Sequence, residues 1–178
     1  MSGHNKWSQI KVKKGAEDAK RSKLFSMLVR GITMEAKKAV GNREAPSLKA
    51  AITRAKEANM PLDNIERAII KGFGGGTDSF EEVIYEAYGP AGVALIVVGI
   101  TDNKNRTTPE IKHLLSQNGG NLGGAGSTTW AFLKQNDGNF VAQNTLPLPP
   151  EDKDKLEKLL ETLNEHEDIK IIFHNANL

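Results

Sequence analysis

Residues 72–78 read GFGGGTD, with four glycines in the first five positions. Such a run favours neither helix nor strand, because glycine loses the most backbone freedom on ordering. It also divides the chain. Before it, apolar residues recur at helical spacing; after it, they alternate with period two. The break predicts a flexible linker over residues 73–78 between an N-terminal unit, residues 1–72, and a C-terminal unit, residues 79–178. The run is not a phosphate loop. A G-x-G-x-x-G pattern would need glycine at position 77, where Thr77 stands, and no Gly-Lys-Ser/Thr follows.

In the N-terminal unit, residues 1–15 carry few apolar residues and no clear period, which predicts an irregular or partly ordered arm. From Ala16 the pattern changes. Leu24, Leu28, Ile32 and Ala36 recur every four residues, with Phe25 and Val29 beside them: one face of a helix reaching about Val40 and stopped by Gly41-Asn42. A second helix starts at Pro46 or Ser47, with Leu48, Ala51, Ile52, Ala55 and Asn59 as its inner stripe, and ends at Met60-Pro61. Pro61 suits the first turn of a third, with Ile65, Ala68 and Ile69 inward. The unit reads as three helices.

The net charge of +2 conceals a split. Residues 1–72 hold sixteen Lys/Arg against seven Asp/Glu, and residues 73–178 hold eight against fifteen. Such asymmetry points to a polyanionic partner for the basic half, the alternative being solvated helix faces. The cations concentrate at the start: Lys6, Lys11, Lys13 and Lys14 in the arm, continued by Lys20, Arg21, Lys23 and Arg30. Lys20, Lys23, Arg30 and Lys37 share one stripe of the first helix. A phosphate backbone gains from such a set through counterion release, without sequence matching. Trp7 sits inside the cluster, where its indole either stacks on a base or anchors the arm onto the helices.

After the linker, residues 80–88 read as a strand, GPAG turns the chain, and residues 93–101 read as a strand buried on both faces. DNKNR (102–106) reads as a polar loop before a helix capped by Thr107 or Thr108, with Pro109 in its first turn and Ile111, Leu114 and Leu115 inward. Asn103, Lys104, Asn105 and Arg106 form a second candidate phosphate contact, just before the free N–H groups of that helix; a polar loop held by its own side chains is the alternative. The glycine-rich loop 119–126 leads into a strand over 127–133. Asn136-Asp137-Gly138 signals a hairpin whose return strand starts at Phe140-Val141. LPLPP connects to a helix over 151–164, and Ile169, Ile171 and Phe173 alternate in a last strand. The C-terminal unit therefore reads ββαββαβ: a mostly antiparallel sheet with two helices on one face, an α+β sandwich.

No catalytic or metal constellation emerges. His4, His113, His166 and His174 show no metal-helix spacing and no HExxH, and no G-x-S-x-G occurs. The carboxylates of 151–168 alternate with lysines on an exposed helix face. No cofactor and no small-molecule substrate is expected, and the chain reads as a non-enzyme. No apolar run approaches the roughly 18 residues of a membrane span. No apolar segment follows the basic N-terminus, so a secretory signal is not expected. Absence of cysteine excludes disulfides and suits a reducing cytoplasm.

Several ordered blocks resemble the YebC/PmpR family: GHNKW (3–7), IKVKKGAEDAKRSKLFSMLVRGI (10–32), ANMPLDNIERAIIKG (58–72), YEAYGPAGVALIVVGITDNKNRT (85–107), GGNLGGAGSTTW (119–130) and EKLLETLNEHEDIKIIFHNA (157–176). Gly31 stands where that family usually has Glu, and Asn5 where Ser is usual. The resemblance implies a non-enzymatic, cytoplasmic regulator that binds nucleic acid, most directly a DNA-binding transcriptional regulator. The alternative is a translational activator that acts on RNA at the ribosome. It also implies a third domain inserted within the second. Here only about ten residues, near 142–152, occupy that place, so the inserted domain is expected to be missing.

Overall fold

The computed structural model describes the backbone of residues 4–74 and 79–178, and side chains from residue 17 onward within those ranges. Residues 75–78, the middle of the expected linker, lie outside the described residues. The chain divides into two compact units, Met1–Ser79 and Phe80–Leu178. The fold is α+β.

The first unit holds α1 (His4–Ala39), α2 (Pro46–Glu57) and α3 (Leu62–Phe73). Helix α1 begins a dozen residues before the apolar pattern does, so the expected irregular arm is a continuous helical backbone from His4. The physical reason is intrinsic propensity. Lys, Gln, Ala and Glu are good helix formers, and no proline occurs before Pro46. The sequence of this stretch holds few apolar residues, so periodicity is silent about it.

Ile32 and Ala36 of α1 meet Leu48 and Ala55 of α2 and Ile65, Ala68 and Ile69 of α3 in one buried core, with Met60 between α2 and α3. Two expected inward residues are not inward. Leu24 is half exposed while its neighbour Phe25 packs against this core, and Asn59 is exposed in a left-handed turn (φ 57°). Helix α3 approaches α1 closely at Gly72, where a Cβ would lie 2.5 Å from the Ala36 Cβ and 2.6 Å from the Thr33 carbonyl oxygen. Thr33 Oγ1 donates to the Ala68 carbonyl at 3.3 Å in the same contact.

The second unit holds β1 (Glu81–Tyr88), β2 (Ala94–Thr101), α4 (Lys104–Gln117), β3 (Asn121–Leu122), β4 (Phe132–Lys134), β5 (Phe140–Ala142), β6 (Leu146–Pro147), α5 (Pro150–Glu165), β7 (Ile169–His174) and β8 (Ala176–Asn177). An antiparallel sheet has the order β3-β1-β2-β7. All eight residues of β2 are buried. Leu95 and Val97, with Val83, Tyr85 and Ala87 of β1, face Ile111 and Leu115 of α4 and Leu156, Leu159 and Leu163 of α5. Ala94, Ile96 and Val98 face the other way, onto Ala131, Phe132 and Phe140.

That second face corrects the expected topology. Residues 127–133 do not form a strand of the main sheet. Thr129–Ala131 is a single 3-10 turn, and β4 pairs only with β5, as a separate two-stranded ribbon across the face opposite the helices. Strand β2 is apolar on both sides, and the ribbon's Phe132 and Phe140 cover the side that α4 and α5 leave open. The hairpin tip is where it was expected, with Gly138 at φ 85°.

Two substitutions test the packing of the first unit in urea melts followed by circular dichroism. Gly72→Ala is expected to destabilise it by about 1–3 kcal/mol, through overpacking against α1. Val40, 88% exposed with φ 47°, holds a β-branched side chain in the left-handed region. Val40→Asn is expected to stabilise the unit by about 1 kcal/mol, because it relieves that strain and gives up no packing.

Candidate nucleic-acid interface

Helix α1 places the basic residues by simple geometry. At 100° per residue, Lys20, Lys23, Arg30 and Lys37 fall within roughly one quadrant, on the side away from Ile32 and Ala36. They span about 25 Å of helix axis at 1.5 Å per residue. Lys20 and Lys37 are exposed, and Lys23 and Arg30 half-buried. Lys20 and Lys37 form no ion pair among the described residues. Arg21 falls off this stripe, toward the core side, with its guanidinium 5.2 Å from the centroid of the Phe25 ring. The side chains of Lys6, Trp7, Lys11, Lys13 and Lys14 lie outside the described residues.

Other cations of this unit are paired within it. Arg43 donates to both carboxylate oxygens of Glu66, at 3.0 and 2.8 Å. That hydrogen bonding, then the charge itself, raises the Arg43 pKa; the same bonding holds Glu66 below the usual carboxylate range. Lys38 meets Glu35 at 2.9 Å, and Lys49 meets Glu44. Glu35, Glu44 and Glu66, three of the seven carboxylates of residues 1–72, thus sit with Lys38, Lys49 and Arg43 and not with Lys20 or Lys37.

The second candidate, residues 103–106, is placed differently from the expected loop. Asn103 is the N-cap of α4 and accepts from the Arg106 N–H at 3.2 Å. Lys104, Asn105 and Arg106 are its first turn, so the helix begins earlier than Thr107. Thr107 does not cap; its hydroxyl donates to Asp168 at 2.6 Å. The Arg106 guanidinium donates to the same Asp168 oxygen at 2.9 Å, with Asp102 at 3.2 Å, Glu110 at 3.8 Å and Glu167 at 3.9 Å around it. Asp168 is fully buried. Its hydrogen bond and charge raise the Arg106 pKa. Arg106 thus neutralises an interior carboxylate inside a ring of four acids, which is unfavourable for phosphate. The guanidinium expected to meet a phosphate is thus already engaged by carboxylates of its own unit. Lys104 and Asn105 remain exposed.

Glu110, His166 and Asp168 bring possible metal-ligand atoms within 4.8 Å. Each is already used. His166 Nδ1 accepts from the Asp168 N–H at 3.1 Å, which places the neutral ring's proton on Nε2, facing Glu110 at 3.0 Å. The Arg106 cation occupies the carboxylate a metal would need. The cluster is an ion-pair network.

A feature absent from the sequence expectations lies after the glycine-rich loop. One Glu86 oxygen accepts from the Gly126 N–H at 2.6 Å; the other accepts from the Thr128 and Thr129 N–H groups at 2.7 and 2.9 Å and from the Thr128 hydroxyl. Burial pushes the Glu86 carboxyl up, but these hydrogen bonds together outweigh it and hold the group below the usual range. Tyr88 and Trp130 both donate to the Ser127 carbonyl, Trp130 Nε1 at 2.7 Å. Trp130 is 62% exposed. Reading 127–133 as a strand hid it; the available signal was an indole directly after a glycine-rich loop and two threonines.

A family model described as the TACO1/YebC protein N-terminal domain matches residues 5–75, and one described as the TACO1/YebC second and third domain matches residues 80–137. The chain belongs to the TACO1/YebC family. A probable transcriptional regulatory protein of Syntrophus aciditrophicus is 56% identical over 138 residues, covering 76% of this chain and 55% of that protein. The chain thus matches about half the length of this relative and of similar ones. A probable transcriptional regulatory protein of Caldanaerobacter subterraneus is 38% identical over 240 aligned positions, covering 100% of this chain and 99% of that protein. The crystal structure of a conserved hypothetical protein, Aq1575 of Aquifex aeolicus, superposes with a TM-score of 0.81 at 32% identity, over 90% of this chain and 91% of that one.

The lowered Glu86 pKa carries a signed expectation. A folded-state pKa below the unfolded value of about 4.3 contributes stability that is present above that value and lost as pH falls through the folded pKa. Glu86→Gln is expected to cost about 1–3 kcal/mol at pH 7. It should also flatten the loss of stability that the wild type is expected to show in urea melts between pH 5 and pH 3.

Proposed function

We propose that this chain is a non-enzymatic, nucleic-acid-binding regulatory protein of the cytoplasm, and specifically a DNA-binding transcriptional regulator. The observation that carries the reading is the cationic stripe of α1. Lys20, Lys23, Arg30 and Lys37 lie on the side opposite the helix core, and Lys6, Lys11, Lys13 and Lys14 precede them on the same helix. A duplex backbone carries one charge per about 1.7 Å of axis, so a stripe about 25 Å long meets several phosphates at once. Trp7 joins as a stacking or anchoring ring. Lys104 and Asn105 are secondary contacts, since both are exposed in the first turn of α4, where backbone N–H groups are free of helical partners. The printed names of the relatives, probable transcriptional regulatory proteins, agree with a regulatory role.

We further propose that the inserted third domain of the family is missing here. Its support is the span of 240 aligned positions against a chain of 178 residues, together with a second unit whose β6, α5 and β7 follow β5 through short connections.

The test is the salt dependence of duplex binding. With five or six phosphates neutralised, log K is expected to fall against log salt with a slope of about −4 to −6. Replacing Lys11, Lys13, Lys14 and Lys20 by Ala should reduce the slope by about 3 to 4. An unchanged slope rejects α1 as the grip. Wild-type binding to RNA that exceeds binding to DNA would reject the transcriptional reading and keep the grip.

A further inference from the structure

Trp130 is a large apolar ring left mostly in water, yet it is not a loose side chain. Its only polar atom, Nε1, donates inward to the Ser127 carbonyl, an oxygen that also accepts from the Tyr88 hydroxyl. The backbone on either side is fixed by the Glu86 carboxylate, which takes the N–H groups of Gly126, Thr128 and Thr129. Thr128 Oγ1, whose one proton is shared between the Glu86 carboxylate at 3.3 Å and the Leu95 carbonyl at 3.0 Å, ties the same segment to the buried strand β2. Glycine at 123 lets the loop close on itself; a Cβ there would collide with Ser127. What this assembly offers to solvent is an oriented indole with its hydrogen-bonding capacity already spent. Only its π surface is available.

The ring's surroundings favour one class of occupant. Gly124, Ala125 and Gly126 are exposed, and none carries a side chain larger than a methyl group. The Gly124 and Ala125 N–H groups make no hydrogen bond among the described residues. Backbone N–H groups of this kind are ordinary phosphate contacts. The exposed large apolar residues nearby in sequence are Leu133 and Val141, a directly opposed pair on β4 and β5. Three side chains fall well short of the roughly 800 Å² per partner that a specific protein interface takes. One nucleobase needs only one ring face.

We propose that Trp130 is a stacking site for an unpaired base of a single-stranded nucleic acid, with the Gly124 and Ala125 N–H groups of the preceding loop receiving the adjoining phosphate. Glu86 is a positioning residue that holds the platform and does not touch the strand. The proposal rests on the nucleic-acid-binding reading above and adds what kind of nucleotide the second unit takes: a base outside a duplex, since a stacked and paired base cannot lie on a side chain.

Two measurements on the full chain test it. The chain has two tryptophans, so Trp7→Phe leaves Trp130 as the sole indole emitter. Adding a 12-nucleotide oligo(dT) or oligo(U) should quench that emission strongly, and a 12-base-pair duplex should leave it nearly unchanged. In fluorescence anisotropy with the same labelled strands, Trp130→Ala in the otherwise unchanged chain should weaken single-strand binding about 5- to 100-fold. Trp130→Phe should retain most of the affinity, and duplex binding should be unaffected by either. Single-strand binding by Trp130→Ala equal to wild type overturns this proposal and leaves the α1 grip standing. Equal loss on single strand and duplex also overturns it, as the mark of a merely structural role. Strand binding without any change in Trp130 emission overturns it as well and points to a protein surface instead. Absence of wild-type binding to every nucleic acid overturns the functional reading itself.

Discussion

The second unit is organised by the burial of β2 from Ala94 to Thr101 on both faces. A strand buried at every position demands two covering layers, and the chain supplies them from different sources. Helices α4 and α5 cover one side, the β4–β5 ribbon the other. The covering has a consequence at the strand's end. The pairing of β2 with β7 shifts register between Val98 and Gly99, and the Asp168 carbonyl accepts from the Ile100 N–H at 2.8 Å. Gly99 has no Cβ because one would sit 2.6 Å from that carbonyl. Asp168 is thereby carried into the interior, where an unpaired carboxylate would be costly. Arg106 and Thr107 answer it. A residue in a motif that looks suited to phosphate is thus committed to the architecture by the packing of a strand.

The same logic separates two kinds of cation in this molecule. Arg43 and Arg106 are held by carboxylates that share their unit, and their positions follow from folding. Lys20 and Lys37 lie exposed on a helical stripe with no such claim on them among the described residues. Counting positive charges along the chain does not distinguish these cases, whereas locating the opposing carboxylates does. The excess of acids after position 72, fifteen against eight basic residues, means that any anionic ligand of the second unit must rely on local groups, such as exposed backbone N–H and a stacking ring, not on net field.

Much of this was legible from residue order. The three helices of the first unit, the wholly buried β2, α5 with its leucine stripe and the hairpin at Asp137-Gly138 all follow from periodicity and turn chemistry. What escaped had physical causes. The first turns of α1 carry few apolar residues in sequence, so only propensity marks them. The ribbon's placement over the far face of the sheet depends on which side of β2 is left uncovered, a long-range matter that local patterns do not encode. The Glu86 clamp joins residues some forty positions apart, and Arg106–Asp168 joins residues 62 apart. In both, the charged partner looks like an ordinary surface residue until the fold brings its counterpart alongside.

The account's central claim is that nucleic acid meets this protein on the cationic stripe of α1. Lysine footprinting tests it most directly: brief acetylation of the full chain with and without bound duplex, with modified sites read by mass spectrometry. The account predicts that Lys20 and Lys37 become several-fold slower to acetylate in the complex, while Lys112, Lys155 and Lys158 on the helices of the second unit react at unchanged rates. Protection of the second set with Lys20 and Lys37 left reactive would contradict it.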